Sequence, residues 1–152
     1  MTEALPTKNK RLMEIFTRPG VSTARLAQFN DDPRTNGPKV RNTRLEKDGL
    51  TTTKMLRQSN WNQALLYLLT QLIGQIVREC PDKSLFGKRW KKIDWKALLK
   101  KRFDRLYIEI VDSLPKNEME KTDPNLIATR LIWKNLQQNI RNGQVNIRKA
   151  VR

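Results

Sequence analysis

Hydrophobic positions recur at helical spacing through residues 59–77, and no charged residue interrupts them. This pattern predicts a core helix that has one apolar side and one neutral polar side. Amide side chains inside the stretch argue against a membrane span. The polar side is a predicted partner interface, with a solvated surface as the alternative, and its residues are Gln63, Tyr67, Gln71 and Gln75.

Capping residues predict where three further helices begin. Ser22 is an N-cap for a short helix that reaches Phe29, and Asp94 is an N-cap for a longer one. Asp123-Pro124 combines an N-cap with a proline at the first helical position, and this last helix is predicted to end at Asn142-Gly143. The Asp94-capped helix has a predicted apolar face, formed by Trp95, Leu98, Leu99, Phe103, Leu106 and Ile110.

The composition changes near residue 50. Residues 1–49 combine a predicted short helix over residues 8–16 with turn-forming and charged segments, and we interpret them as a basic, partly irregular N-terminal arm. Three consecutive threonines from Thr51 provide hydroxyl N-caps for the first helix of the next region. Residues 50–152 are therefore predicted to form an all-α domain, a small bundle of three to four main helices.

The composition adds a strong positive charge. The 152 residues include 31 Lys/Arg, 15 Asp/Glu and no histidine, which gives a formal net charge of +16. A charge of this size favours a polyanionic partner, above all the backbone of RNA or DNA. An anionic membrane is disfavoured because acidic side chains interrupt the basic amphipathic helix over residues 94–113. We expect no membrane partner.

The residue types also argue against catalysis. Without histidine the chain lacks the commonest general base and the commonest ligand for transition metals. A single Cys80 cannot form an internal disulfide, which indicates a reducing cytoplasm and a buried apolar role for this side chain, with a reactive thiol as the alternative. We predict a protein with no catalytic residue, no metal site and no cofactor. The acidic residues of predicted loops show no spacing typical of metal-dependent nucleases; they are Asp31, Asp32, Asp82, Glu118 and Glu120.

A basic stripe on the last helix is the first predicted nucleic-acid contact. Cations spaced along one helix face can follow a phosphate backbone, although such a face can also be merely solvated. The stripe consists of Arg130, Lys134, Gln137 and Arg141. It lies opposite a predicted apolar side formed by Ala128, Ile132, Trp133, Leu136 and Ile140. Reversal of Arg130 and Lys134 to glutamate is expected to spare the fold.

A second basic cluster surrounds Trp90. Its cations can bind a backbone while the indole stacks on a base, and the alternative for Trp90 is packing over the helix start. The predicted contacts here are Lys88, Arg89, Trp90, Lys91, Lys92, Lys96 and Lys100. The Asp94-capped helix continues with the further cations Lys101, Arg102 and Arg105.

The segment Leu50-Thr51-Thr52-Thr53-Lys54-Met55-Leu56-Arg57 resembles the opening of the first conserved helix in small subunits of multi-protein CRISPR effector complexes, particularly the Csm type. In that family a threonine-rich cap runs into an aliphatic residue and an arginine. The residues that match this pattern are Thr52, Thr53, Leu56 and Arg57. Residues 1–49 extend beyond the compact bundle of the family.

The resemblance implies a helical subunit that polymerises along a filament of guide RNA and target. Such a subunit supports the target or displaced strand without reading its sequence, because base pairing supplies the specificity. It also implies that the neutral face over residues 59–77 meets a neighbouring protein subunit, such as another copy of the chain. The cations that it would turn towards nucleic acid are Arg57, Arg130, Lys134 and Arg141.

These observations leave three hypotheses for the function. The first is a non-catalytic, sequence-independent nucleic-acid-binding subunit of a ribonucleoprotein, most specifically a CRISPR small subunit in the cytoplasm. The second is a free-standing helical DNA- or RNA-binding accessory protein of a plasmid, phage or ribosome. The third is a basic adaptor for an acidic protein surface. A steep fall of affinity with salt is expected for the first two.

Overall fold

The computed structural model describes residues 18–41 and 43–151, without the side chains of residues 144–151. No strand occurs in these ranges, and the predicted all-α class is confirmed. Two 3-10 turns, Lys83–Phe86 and Trp90–Lys92, connect the third helix to the fourth. The predicted helix over residues 8–16 lies outside the described residues. The six helices are α1 Thr23–Asp31, α2 Thr53–Gln58, α3 Asn60–Glu79, α4 Trp95–Asp112, α5 Glu118–Thr122 and α6 Pro124–Val151.

The chain divides into two compact units, and the division does not fall at residue 49. One unit is Pro19–Val111, so residues 19–49 belong with α2, α3 and most of α4. The described part of the other unit is Arg18 and residues 112–151. The predicted N-terminal arm is therefore part of a folded unit from Pro19 onward, and the contacts of α1 explain why.

The segment around α1 is held in place by one hydrophobic cluster and by a backbone hydrogen bond to residue 45. Ser22 caps α1 as predicted, and Phe29 packs edge-to-face on Trp61 with ring centroids 5.3 Å apart. The backbone N–H of Val21 donates to the carbonyl of Leu45 at 3.0 Å. Val21, Phe29 and Trp61 are buried together. This packing removes a large aromatic surface from water and holds residues 19–31 against α3.

A second hydrophobic cluster joins α2, α3 and α4. Leu56, Leu65, Phe103 and Tyr107 are its buried members. The predicted apolar face of α4 is correct at Phe103 and wrong at Leu98, whose side chain is 50% exposed. Every α4 residue in the cluster lies at Phe103 or beyond, so the first turns of α4 lie outside this cluster.

The buried amide of Asn62 ties the polar segment before α2 to the junction of α2 and α3. Asn62 is fully buried, and its Oδ1 accepts from the backbone N–H of Glu46 at 2.7 Å. Its Nδ2 donates to the carbonyls of Glu46 and Leu56, at 2.9 and 3.0 Å. Ser59, the N-cap of α3, donates to the Glu46 carboxylate at 2.5 Å. The junction is thus held by hydrogen bonds to a segment sixteen residues away.

Helix α6 begins where the sequence predicts and ends later. The Asp123 carboxylate accepts from the backbone N–H of Asn125 at 3.0 Å, and Pro124 is the first helical residue. The predicted end at Asn142-Gly143 is wrong, because α6 continues to Val151. A terminating glycine needs a positive φ. In the described ranges, positive φ occurs at Gly49 and Gly87, not at Gly143.

Substitution Asn62→Ala is expected to lower the free energy of unfolding by roughly 2–4 kcal/mol, because it leaves buried backbone groups of Glu46 and Leu56 without partners. Urea denaturation followed by circular dichroism measures this loss. The matched control is Asn60→Ala on the same helix, where the side chain is exposed and a change of about 0.5 kcal/mol or less is expected. Equal losses in the two variants would contradict the role assigned to Asn62.

Candidate nucleic-acid interface

The second 3-10 turn, the two residues before it and the first three turns of α4 carry a dense group of cations, here called the basic surface. All of them are exposed, and none makes an ion pair with a residue that the structure describes. The nine members are Lys88, Arg89, Lys91, Lys92, Lys96, Lys100, Lys101, Arg102 and Arg105. This set includes all six cations that the sequence predicts around Trp90, and it adds three.

The two acidic residues within the basic surface are already engaged. Asp94 accepts from the backbone N–H of Ala97 at 3.1 Å and so caps α4, as predicted. Asp104 accepts from Nε of Arg57 at 3.1 Å. Neither carboxylate forms an ion pair with any of the nine cations. The charge of the basic surface is left for solvent ions or for an anionic partner.

Contacts of the first 3-10 turn with α3 and with α4 fix where this surface starts. The Lys83 ammonium donates to the carbonyls of Val77 and Arg78 at the end of α3. Cations are favourable there because the last carbonyls of a helix carry partial negative charge. Phe86 packs edge-to-face on Trp95, with ring centroids 5.9 Å apart. The start of α4 is therefore positioned by packing that involves none of the nine cations.

Trp90 lies within the basic surface and is half-buried. The ammonium groups of Lys83 and Lys91 lie 5.4 and 5.6 Å from its ring centroid, within the range of cation–π attraction. Lys83 is also held by two backbone carbonyls. The ring therefore organises neighbouring cations, and the predicted stacking of Trp90 on a base stays a prediction.

The basic stripe predicted on α6 is only partly a free surface. Arg130 Nε donates to the Glu120 carboxylate at 2.6 Å, and Nη2 donates to the carbonyl of Leu114 at 3.1 Å. Arg130 is itself half-buried and its guanidinium lies on the buried Glu120, so the prediction of a solvent-facing Arg130 is wrong. Lys134 is exposed and pairs with Asp112. The other two members of the stripe, Gln137 and Arg141, are exposed.

The apolar side predicted for α6 is buried only near its start. Ala128 is 5% exposed and Ile132 is half-buried. Three larger members of that side have about half of their surface exposed: Trp133, Leu136 and Ile140. The helical wheel places these residues on one side correctly. It does not reveal that no described part of this unit covers them.

The partner interface predicted on α3 is exposed throughout. Gln63, Tyr67, Gln71 and Gln75 follow one another at four-residue intervals, so they share a helix face. Tyr67 is the most prominent, with 67% of its surface exposed. The absence of charge on this face is compatible with protein contact, and its role as an interface stays a prediction.

Arg57, the cation singled out by the family resemblance, serves the fold of its own unit. Its side chain bridges α2 to Asp104 on α4. The neighbouring Tyr107 is buried, and this burial, aided by the Asp104 charge, raises its pKa to about 12. Tyr107 therefore stays uncharged, and Arg57 offsets the carboxylate beside it.

Of the five acidic residues predicted in loops, Asp31 ends α1, and Glu118 and Glu120 lie on α5, so these three placements are wrong. Hydrogen bonds from Thr35 lower the pKa of Asp32, and hydrogen bonds from Ser84 do the same for Asp82. Glu118 forms an ion pair within α5. In the described part of the chain, no three His, Cys, Asp or Glu side chains are grouped so that they could hold a metal ion. No described helix combines the length and apolar content needed to cross a bilayer.

Cys80 is half-buried, not fully buried as its predicted apolar role implies. Its thiol donates to the carbonyl of Asp82 at 3.4 Å. It lies at the C-cap of α3, directly before Pro81, where the chain leaves the helix. Its position at a helix end explains the partial exposure.

Lys101, Arg102 and Arg105 are missing from the contacts predicted by the sequence. They lie on the side of α4 that faces away from the Phe103–Tyr107 line, and all three are exposed. The signal that could have identified Lys101 and Arg102 is the absence of any acidic residue between Trp95 and Phe103, and Arg105 follows Lys101 at four-residue spacing. Comparison with known proteins gives no further guidance, because no family model, curated protein or solved structure matches the chain.

Arg130→Ala is expected to lower the unfolding midpoint of the protein, because it removes the partner of a nearly buried carboxylate. The control Arg141→Ala removes an exposed arginine of the same helix and is expected to leave the midpoint unchanged. Thermal unfolding followed by circular dichroism compares the two. Equal midpoints would restore the interpretation of Arg130 as a solvated residue. Reversal of Arg130 to glutamate is likewise expected to destabilise the fold, contrary to the prediction from the sequence.

Glu120 is expected to make stability depend on pH in the acid range. Its hydrogen bond from Arg130, followed by that from the backbone N–H of Lys116, holds its pKa below the ordinary value of 4.5. Stability from a lowered carboxyl pKa is fully present above the unfolded-state value and is lost as pH falls through the folded-state value. Urea midpoints of the wild type and of Glu120→Gln should therefore differ near neutral pH and converge in acid. A gap that stays constant with pH would contradict this assignment.

Proposed function

We propose that this protein binds polynucleotides through their phosphate backbone, without reading base sequence and without catalysis. The observation that carries the proposal is the basic surface, with nine exposed cations and two acidic residues that are both engaged elsewhere. Lysine and arginine that neutralise phosphates release condensed counterions, and this release drives binding to any sequence. Backbone contacts of this kind position a protein on the polymer but do not specify bases.

The arrangement of the cations favours a linear polyanion over a compact acidic protein surface. Cations recur on every turn of α4 from Lys96 to Arg105, a distance of about 14 Å at 1.5 Å per residue. A nucleic-acid strand carries one negative charge per about 3.4 Å of helix axis. An extended array of cations can therefore contact several phosphates of one molecule at once.

The narrower proposal is a small subunit of a CRISPR effector complex in the cytoplasm. It rests on the resemblance of residues 50–57, in which Thr52 caps α2. Three of the cations that this resemblance turns towards nucleic acid have acidic partners, namely Arg57, Arg130 and Lys134. In such a complex the basic surface would supply the backbone contacts, and the neutral face of α3 would meet the next subunit. Co-purification with a guide RNA and partner subunits tests this version.

The double reversal Lys101→Glu with Arg105→Glu is expected to weaken binding to unrelated sequences alike, by about tenfold or more near physiological salt. The log-log salt dependence of binding should become shallower by about two units, since two phosphate contacts are lost. Fluorescence anisotropy with labelled oligonucleotides over a salt series measures both quantities. Both residues are exposed and unpaired with any described residue, so circular dichroism should show an unchanged fold.

The matched control is Arg34→Glu with Lys39→Glu. It changes the net charge by the same amount on exposed residues after α1, outside the basic surface. Affinity should fall much less in this control. Equal losses would indicate a response to net charge alone, and unchanged affinity in the first variant would overturn the assigned site. Cleavage of the bound strand by purified protein would contradict the non-catalytic part of the proposal.

A further inference from the structure

The first two turns of α4 extend beyond the hydrophobic cluster that buries Phe103 and Tyr107. Trp95 and Leu99 are half-buried and define the side that faces the unit, with Trp95 resting on Phe86. At about 100° per residue, Ala97 points about 180° away from the mean direction of these two residues. Ala97 is exposed, in agreement with that geometry. The outermost point of this part of the helix is therefore a small, uncharged residue.

Two rows of cations flank Ala97. Lys96 and Lys100 form one row, and Lys101 and Arg105 form the other. The two rows are about 140° apart around the helix axis, and each lies roughly 100–120° from the mean direction of Trp95 and Leu99. All four side chains are exposed. The helix thus presents a narrow neutral ridge with positive charge on both sides.

We infer that this ridge enters the major groove of a B-form DNA duplex, where each row of cations faces the phosphates of one strand. The inference rests on the proposed function and adds the class of polynucleotide. A B-form major groove is about 12 Å wide and admits a helix whose diameter with side chains is about 10–12 Å. The major groove of A-form RNA is deep and narrow and excludes it. A small residue at Ala97 lets the backbone approach the groove floor.

The surroundings of the ridge favour a duplex over a single strand. Single-strand sites combine cations with open aromatic faces on which bases stack. Within the basic surface, Trp90 is half-buried beside the ammonium groups of Lys83 and Lys91. Trp95 is packed on Phe86. Neither ring offers an open platform, whereas the cation rows need only phosphates.

Asp104 sets the limit of the inserted segment. It lies on the same outward side as Ala97, two turns later, and it is the one acidic residue between Trp95 and Arg105. Its carboxylate would repel phosphates, but Arg57 offsets its charge at 3.1 Å. The part of α4 that reaches the groove floor therefore ends before Asp104, while Arg105 contacts phosphates from the flanking row.

The test compares three probes of random sequence and equal phosphate number: a DNA duplex of about 20 base pairs, an RNA duplex and single-stranded DNA. The wild type should bind the DNA duplex about tenfold or more tightly than the other two at the same salt concentration. The variant Ala97→Trp, which adds bulk without charge, should lose about tenfold in duplex affinity and keep its single-strand affinity. The control Ala27→Trp, an exposed alanine on α1, should match the wild type.

Each outcome separates this inference from the broader proposal. Equal affinity for the DNA and RNA duplexes, tighter binding of the single strand, or wild-type duplex affinity in Ala97→Trp would overturn the groove geometry while leaving backbone binding intact. Failure to bind any of the three probes would overturn the proposed function itself. Circular dichroism of both alanine variants establishes that their helices are intact.

Discussion

Asn62 holds two distant parts of the chain together from inside the core, through hydrogen bonds to Glu46 and Leu56. Its neighbours on α3 belong to different hydrophobic clusters, Trp61 to the one with α1 and Leu65 to the one with α4. A buried amide with unsatisfied atoms would cost several kcal/mol, so these bonds restrict α3 to one position relative to residues 44–47. Both clusters, and through them the placement of α4, depend on that position.

Several acidic side chains also hold the fold together by binding helix ends or arginines. Their use there explains why one region has excess positive charge. Asp94 caps α4, Asp104 holds Arg57, and Glu120 holds Arg130. A net charge of +16 could be spread evenly over a protein. Here the acids stabilise particular helix ends and particular arginines, whereas residues 88–105 concentrate cations that form no ion pair with any described residue. The distribution of partners, more than the total charge, distinguishes a binding surface from ordinary solvated charge.

Local signals in the sequence predicted the starts of α1, α4 and α6, because an N-cap acts on a backbone N–H two or three residues away. Ser22, Asp94 and Asp123 all accept such bonds. Contacts between distant residues could not be predicted in this way. A helical wheel gives the direction of Arg130 but not the presence of Glu120 beside it, and it places Leu98 on an apolar face without showing where the core ends. The predicted separation of residues 1–49 failed from Pro19 onward for the same reason, since their partners lie on α3.

The cation rows on α4 work against the helix that carries them. Lys96 with Lys100, and Lys101 with Arg105, are like-charge pairs at i,i+4 spacing, each of which costs an isolated helix about 0.2–0.5 kcal/mol. Cations in the first turns also oppose the positive end of the helix dipole. The Asp94 cap and the burial of Phe103 and Tyr107 offset that cost at the two ends of the segment. A bound polyanion would relieve this repulsion between the cations, and the relief would contribute to its affinity for the protein. A neutral partner would leave the repulsion unchanged. A local arrangement that lowers stability without serving the fold is typical of a functional surface.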